Sequence, residues 1–190
     1  GLPVINIRYV PLNNEVNAMF KRILDFVGAA VGIIVLSPVM AIIAIAVKLT
    51  SKGPLIYSHE RIGRHNRPFM MYKFRTMRVQ PEDEEKKCWT KKGDPRVTPV
   101  GKILRCTSLD ELPQLFNIIS GNMSLVGPRP ERPFFVDKFK EEIPGYMVKH
   151  QVRPGLTGWA QINGYRGDTS IDKRIEYDLY YIEHWTFGFD

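Results

Sequence analysis

One uncharged segment constrains the fold of this 190-residue chain more than any other feature. Residues 26–47, FVGAAVGIIVLSPVMAIIAIAV, contain no Asp, Glu, Lys or Arg. A helix of that length, at about 1.5 Å per residue, is long enough to cross a bilayer core of about 30 Å. A core helix this apolar would have to be covered on every side by a small domain. The segment therefore indicates a membrane-associated protein.

Two features of this segment argue against a straight crossing. Pro38 lies in its middle, lacks a backbone donor and crowds the carbonyl of Ile34, so we expect the helix to kink or break at Ser37-Pro38. Basic residues flank both ends: Lys21 and Arg22 before the segment, and Lys48, Lys52, Arg61 and Arg64 after it. By the positive-inside rule both ends are then cytoplasmic. We expect a re-entrant helix-break-helix over residues 21–50, with Ser37 bonding back to a carbonyl of the preceding turn. A straight span is the alternative.

The rest of the chain predicts an α+β catalytic domain over residues 51–190. The runs LIYSHERIG and FMMYKFRTM, separated by a Gly- and Pro-containing turn, predict a hairpin. Thr98-Pro99 predicts the start of a helix that runs to about Arg105. Helical spacing predicts two more helices, in SLDELPQLFNIISGN and RIEYDLYYIEHWTF. The highly charged residues 81–93 predict an exposed loop or short helix, and residues 1–20 are expected to be the end of a preceding linker.

Positive charge is concentrated in one part of the sequence. The net charge is +7, and residues 48–105 contain 15 Lys and Arg against 6 Asp and Glu. Such a field attracts phosphorylated metabolites, anionic lipid headgroups or nucleic acid, and charge alone does not choose among them. Neither the two cysteines nor the four scattered histidines have metal-site spacing. We interpret the histidines as surface residues or satisfied core residues.

Ser108-Leu109-Asp110-Glu111 is the motif that could perform chemistry. It fits the capping-box pattern S-x-x-E, in which the acids only complement a helix dipole. The same helix start would keep Asp110 ionised for attack on phosphorus and would accept the phosphate that it attacks. Four basic residues could contact a diphosphate there: Lys73, Arg75, Arg105 and Arg129. A Mg²⁺ ion would bridge carboxylate and phosphate oxygens.

Several long motifs together resemble one family. They are KRILDFVGAAVGIIVLSP, GPLIYSHERIGRHNRPFMMYKFRTM, LRCTSLDELPQLFNIISGNMSLVGPRP and RPGLTGWAQINGYRGDT. Over residues 21–190 the sequence resembles the bacterial sugar transferases, the monotopic polyprenyl-phosphate sugar-1-phosphate transferases. It is most similar to the C-terminal catalytic part of the larger members, which often use UDP-glucose or UDP-galactose.

The resemblance implies an activity and a set of site residues. The activity is transfer of a sugar 1-phosphate from a UDP-sugar to undecaprenyl phosphate, with release of UMP, through an aspartyl-phosphosugar intermediate on Asp110. Glu111 is then the second acid of the pair, and Asp110 also binds Mg²⁺. Five residues are expected to bind substrate: Lys73, Arg75, Arg105, Arg129 and Arg153. The helix would be broken at Ser37-Pro38.

The resemblance also implies a setting. The enzyme would lie at the cytoplasmic face of the bacterial inner membrane, in contact with lipid, and initiate exopolysaccharide, capsule or O-antigen synthesis. A nucleic-acid partner is not expected; the sequence leaves the oligomeric state open, with a homo-oligomer as one possibility. The competing hypothesis is a non-catalytic basic peripheral protein that binds anionic lipid or nucleic acid; it gives no reason for the acidic pair. A third hypothesis is that the chain has the fold but is inactive, because preceding helices are needed for lipid access.

Overall fold

The computed structural model describes residues 9–78, 94–143, 145–167 and 169–190. Within these ranges helices and strands are mixed, which confirms the α+β class. The helices are α1 (Glu15–Thr50), α2 (Pro99–Thr107), α3 (Gln114–Ile119), α4 (Pro133–Glu142), α5 (Trp159–Ile162) and α6 (Ile171–His184). The strands are β1 (Ile56–Ile62), β2 (Pro68–Phe74), β3 (Ser124–Val126) and β4 (Gly155–Thr157). The predicted loop or helix at residues 81–93 lies outside the described residues.

Helix α1 is longer than expected and continues through Pro38. It begins after Asn14, whose side chain accepts hydrogen bonds from the backbone of Val16 and Asn17, and it extends over 36 residues. Pro38 cannot donate to the carbonyl of Ile34, but the hydroxyl of Ser37 donates to that carbonyl at 2.8 Å. The predicted back-bond of Ser37 is confirmed. Because it satisfies the carbonyl that proline leaves free, the helical backbone continues from Glu15 to Thr50. The expected kink or break at Ser37-Pro38 stays a prediction.

One side of α1 packs against the domain along most of its length, and the other side is exposed. Near its start Arg22 donates to the carbonyls of Ile118 and Ile119 at 2.6 and 2.7 Å. Near its end Val47 packs in a cluster with Phe74 and Leu104. The exposed side is apolar: Val27, Val31, Ile34, Val35, Ile42 and Ile45 are each more than half exposed. By length and composition α1 is the only helix among the described residues that could cross a membrane.

The predicted hairpin is confirmed. Strands β1 and β2 pair antiparallel, with Tyr57 opposite Lys73 and Arg61 opposite Phe69. Phe69 and Met71 face a core cluster that includes Ala29 of α1 and Leu115 of α3. The hairpin therefore holds Lys73 at a fixed position beside the segment that joins α2 to α3.

The segment from α2 to α3 differs from the single helix expected over SLDELPQLFNIISGN. The predicted N-cap is confirmed, because the Thr98 hydroxyl accepts from the backbone of Gly101 at 2.9 Å. Helix α2 ends at Thr107, and Ser108 takes the left-handed conformation with φ of 59°. A single 3-10 turn, Leu109–Glu111, then precedes α3. The left-handed residue redirects the chain, so the two acids lie in a turn between helices.

A second, parallel pair of short strands was not predicted. Ser124 of β3 lies opposite Gly155 of β4, and Val126 lies opposite Thr157. A Cβ atom on Gly155 would come within 2.1 Å of the backbone nitrogen of Gly127, so only glycine allows this approach. The close approach brings the turn that carries Arg129 beside the start of α5.

Candidate active site

The turn Leu109–Glu111 holds both acids in buried positions. Asp110 is 7% exposed and Glu111 is 6% exposed. The expected capping box is wrong, because Ser108 is left-handed and its side chain makes no capping bond. The Ser108 hydroxyl instead accepts a hydrogen bond from Arg166 at 2.7 Å. The acids are therefore held by tertiary contacts rather than by a helix start.

Glu111 is the centre of a cationic cluster. Its Oε1 atom accepts from Lys73 Nζ at 2.8 Å and from Arg129 at 2.9 Å, and Arg166 lies 3.5 Å away. Burial alone would raise the pKa of Glu111, but the charges of Arg129 and Lys73 outweigh it and lower the pKa to about 2. Glu111 is therefore ionised throughout the physiological range and is unsuited to donate a proton.

Asp110 has the opposite surroundings. In the described part of the chain no side chain donates a hydrogen bond to its carboxylate. Burial raises the pKa of Asp110 above its ordinary value; Lys73 and Arg105 act against that rise, and the negative charge of Glu111 adds to it. The expectation that a helix start would favour its ionised form through backbone donors is not met, because desolvation dominates. A buried carboxylate without a side-chain partner is available to react or to bind a cation.

Three of the five predicted binding residues meet at the acidic pair. Lys73 and Arg129 contact Glu111 directly, as described above. Arg105 donates from Nε to the Thr76 hydroxyl at 2.8 Å, and its charge acts on Asp110. These three residues come from β2, from α2 and from the turn after β3, so the site assembles from separate parts of the sequence.

Arg75 and Arg153 are not brought to the acidic pair. Arg75 is buried and donates to the Ser51 carbonyl at 2.8 Å and to its hydroxyl at 3.0 Å, which attaches β2 to the end of α1. Arg153 donates from Nε to the Gly121 carbonyl at 2.9 Å. Burial lowers the pKa of Arg153, and nearby Arg64 and Arg22 add to that effect. Arg153 thus belongs to a separate basic group next to the first half of α1.

Sequence reasoning missed two residues of the site. Arg166 contacts both Ser108 and Glu111, and the Gln161 side chain accepts from Arg129 at 2.9 Å. Both lie in the motif RPGLTGWAQINGYRGDT, whose density of Gly and polar residues was the available signal. Together with Glu111 they border a cleft of about 360 Å³. It is lined by Ser108, Glu111, Leu112, Leu156, Thr157, Gln161, Ile162 and Arg166. The volume is in the range of small-molecule sites.

A buried arginine of α6 joins the two segments that carry the site's arginines. Arg174 donates to Glu131 Oε1 at 3.0 Å and to the Gly167 carbonyl at 2.6 Å. Glu131 is two residues after Arg129, and Gly167 directly follows Arg166. The position of Arg129 relative to Arg166 is therefore set by one shared anchor.

The residues of the site could bind a magnesium ion only together with oxygen ligands from a substrate. Among the described residues there is no group of three or more His, Cys, Asp or Glu side chains that could bind a metal alone. Mg²⁺ is commonly bound by one or two carboxylates together with substrate phosphates. The unpaired carboxylate of Asp110 meets that requirement.

An apolar groove lies on the other side of β2. It has a volume of about 610 Å³ and lies between α1, the hairpin and α3. Its lining is aliphatic and aromatic: Met40, Ala41, Ala44, Leu55, Ile56, Tyr72, Phe74, Pro113 and Phe116. Pro113 is three residues after Asp110. The groove therefore reaches from the membrane-type segment of α1 to the helix that follows the acidic pair.

Comparison with known proteins gives consistent matches. The family model described as bacterial sugar transferase matches residues 16–190. Over its whole length the chain is 47% identical to the UDP-glucose:undecaprenyl-phosphate glucose-1-phosphate transferase of Klebsiella pneumoniae, and the match covers 41% of that protein. Over 94% of its length it is 44% identical to the UDP-N-acetylgalactosamine-undecaprenyl-phosphate N-acetylgalactosaminephosphotransferase of Aeromonas hydrophila, and the match covers 43% of that protein. Over 90% of its length it is 40% identical to the undecaprenyl-phosphate galactose phosphotransferase of Salmonella typhimurium strain LT2, and the match covers 38% of that protein. The chain spans about two fifths of the length of these relatives.

Proposed function

Because the chain belongs to the bacterial sugar transferase family, we propose that it transfers a sugar 1-phosphate from a UDP-sugar to undecaprenyl phosphate and releases UMP. The names of the relatives support both substrates. The observation that carries the proposal is the contrast within the acidic pair. Glu111 is bound by Lys73 and Arg129. Asp110 is equally buried, but no side chain among the described residues bonds to its carboxylate. One acid is committed to holding cations and the other is free to react.

In the first step an oxygen of Asp110 attacks the phosphorus atom that carries the sugar. The bond from that phosphorus to the UMP phosphate breaks, and its electron pair leaves with UMP. Lys73, Arg105, Arg129 and Arg166 supply positive charge that stabilises the diphosphate as negative charge shifts toward the leaving group. Glu111 keeps Lys73 and Arg129 aimed at the site and transfers no proton, which agrees with its pKa of about 2.

In the second step an oxygen of the lipid phosphate attacks the same phosphorus atom. The bond to Asp110 breaks, and its carboxylate is restored as the sugar diphospholipid forms. The two steps together need no net proton, because the first replaces a phosphate oxygen by a carboxylate oxygen and the second replaces that carboxylate oxygen by another phosphate oxygen. Mg²⁺, bound by Asp110 and by substrate phosphates, would add positive charge at the diphosphate.

We further propose that α1 enters only the cytoplasmic leaflet of the bacterial inner membrane and that both of its ends stay on that face. Arg22 and Val47 lie about 38 Å apart along an ideal helix, yet both contact the same catalytic domain. Basic residues flank both ends, and the outward side of the helix is apolar. A straight crossing would carry one end of the domain into the bilayer with it. A re-entrant arrangement avoids this.

The apolar groove is suited to the hydrocarbon chain of the acceptor lipid. It is lined by α1 residues of the uncharged segment, so it opens where bilayer lipid would lie. Its far end, at Pro113, is close in sequence to Asp110. A polyprenyl chain in the groove would therefore place its phosphate near the nucleophile while its tail remains in an apolar environment.

Replacing Ala44 by Trp fills the groove and should impair only the lipid step. Loss of about 60 Å² of apolar contact costs about 1.5 kcal/mol, so the KM for the polyprenyl phosphate should rise about tenfold. Exchange of labelled UMP into the UDP-sugar needs no lipid and should be unchanged. Ile45→Trp, on the exposed side of α1, is the matched control. An equal loss of UMP exchange in Ala44→Trp would contradict a role confined to the acceptor.

The whole proposal is tested by assaying Mg²⁺-dependent UMP release from a panel of UDP-sugars, with and without undecaprenyl phosphate. We expect release that requires Mg²⁺ and prefers UDP-glucose or UDP-galactose. Labelled UMP should exchange into the donor in the absence of lipid, as a covalent intermediate requires. If no UDP-sugar yields UMP and the protein binds plain DNA with strong salt dependence, the non-catalytic alternative is favoured instead.

A further inference from the structure

His59 of β1 is half-buried, and its two ring nitrogens are buried without a hydrogen-bond partner among the described residues, contrary to our interpretation of the histidines as surface or satisfied residues. Both ring nitrogens are inaccessible to solvent, and no described residue bonds to either of them. The ring stacks on Tyr57 with centroids 5.2 Å apart. Buried polar atoms are nearly always paired in folded proteins. An imidazole in this position therefore points to a ligand.

Four cationic side chains surround this imidazole. Tyr57, His59 and Arg61 alternate along β1, so they share one face of the hairpin, and Lys73 of β2 lies directly opposite Tyr57. The backbone of Ile62 donates to the Glu131 carbonyl at 3.0 Å, which brings the segment with Arg129 and Arg132 alongside β1. Burial lowers the pKa of His59 to about 2, and Arg61, Lys73, Arg132 and Arg129 all add to that effect.

The neutral imidazole and the cations need an anion to satisfy them together. A neutral imidazole still has one N–H group, which can donate to an oxygen. The Nε atom of Arg61 is also buried, and no residue that the structure describes bonds to it. A phosphate monoester has three terminal oxygens that accept from guanidinium and N–H donors, and such charge-assisted bonds are strong. The charge of Glu131 acts on Arg61, but the Oε1 atom of Glu131 is bound by Arg174.

We propose that His59, Arg61 and Arg132 form a second phosphate subsite beside Lys73 and Arg129, and that it receives a phosphate monoester in both steps of the reaction. The inference rests on the proposed double displacement. In each step the entering and leaving oxygens lie roughly in line through phosphorus. The UMP phosphate leaves opposite Asp110, and the lipid phosphate must attack from that same side. One subsite therefore holds the UMP phosphate first and the lipid phosphate second.

The test is to measure dissociation constants of UMP, uridine and a short-chain prenyl phosphate for the whole protein in detergent. His59→Phe keeps an aromatic ring but removes the N–H donor. We expect this variant to weaken the binding of UMP and of prenyl phosphate by a similar factor, about tenfold, since that is the usual effect of losing a hydrogen bond to a charged group. Uridine binding should be unchanged. His59→Gln restores a neutral donor and should recover most of the affinity.

Two further variants make the result decisive. Arg132→Met, at a half-buried position, should reproduce the loss for both phosphates even if His59→Phe does not fold. His184→Phe, an exposed histidine of α6, should bind all three compounds normally. Unchanged binding of both phosphates, or loss for only one of them, would overturn the shared subsite. Binding is measured without turnover, and UMP release is assayed separately. Normal UMP release without the expected binding losses would overturn the subsite alone, whereas no UMP release by the wild-type protein would overturn the proposed function.

Discussion

Asp110→Asn is expected to reduce sugar-phosphate transfer by at least about a thousandfold, the scale seen when a covalent nucleophile is removed. Asn has nearly the same size and cannot form the acyl phosphate. It also removes a buried carboxylate that burial already destabilises, so the fold should be retained. Rapid quenching with labelled UDP-sugar should trap a phosphosugar on the wild-type protein at Asp110. The variant should yield none.

Asp137→Asn is the matched control for this substitution. Asp137 lies on the exposed side of α4, and its ion-pair partner among the described residues is Lys140, so its replacement should leave transfer unchanged. Thermal unfolding of both variants shows whether the fold is kept. Full transfer by a folded Asp110→Asn protein would exclude Asp110 as the nucleophile. A phosphosugar trapped on another residue would do the same.

The acidic pair shows what the sequence could and could not predict about the site. The motif S-L-D-E allowed either a capping box or a reacting pair, and local spacing could not separate them. The deciding contact is between Arg166 and Ser108, which are 58 residues apart in the sequence. That contact uses the hydroxyl that would have capped a helix. Long-range pairing of this kind leaves no local periodic signal.

Arg75 shows the limit of reasoning from strand alternation. Lys73 and Arg75 are two residues apart and would point to the same side of a continuing strand. Strand β2 ends at Phe74, however, and the backbone of Arg75 donates to the Leu55 carbonyl. Its side chain then reaches Ser51 instead of the acidic pair. By contrast, the hairpin and the Thr98 cap were predictable, because each depends on residues close in sequence.

Helix α1 combines a confirmed local prediction with an arrangement that stays a proposal. The back-bond from Ser37 was predicted from the residue type and its position before Pro38, and it is present. The helical backbone continues through Pro38, because that bond replaces the donor that proline lacks. The proposed re-entrant arrangement rests on where α1 contacts the domain, which only the folded chain reveals.

Arg129→Lys is expected to reduce kcat/KM for the UDP-sugar about a hundredfold, and Arg129→Met somewhat more. Arg129 donates from one terminal nitrogen to Glu111 and from the other to Gln161, each at 2.9 Å. A lysine ammonium is a single point charge and cannot make this planar, two-armed contact. Misplacing a charge by about 1 Å at a phosphoryl-transfer site costs on the order of a hundredfold. Steady-state kinetics with saturating lipid measures the loss.

A double-mutant cycle with Glu111→Gln tests whether these residues act as one unit. Because Glu111 holds Arg129 in place, the double variant should lose much less than the product of the single losses. Lys138→Met, on the exposed side of α4, is the control and should leave kcat/KM unchanged. Strictly multiplicative losses would show that Glu111 acts independently of Arg129. Glu111 would then act in the chemical step itself, which would contradict our proposal that it holds Lys73 and Arg129 in place.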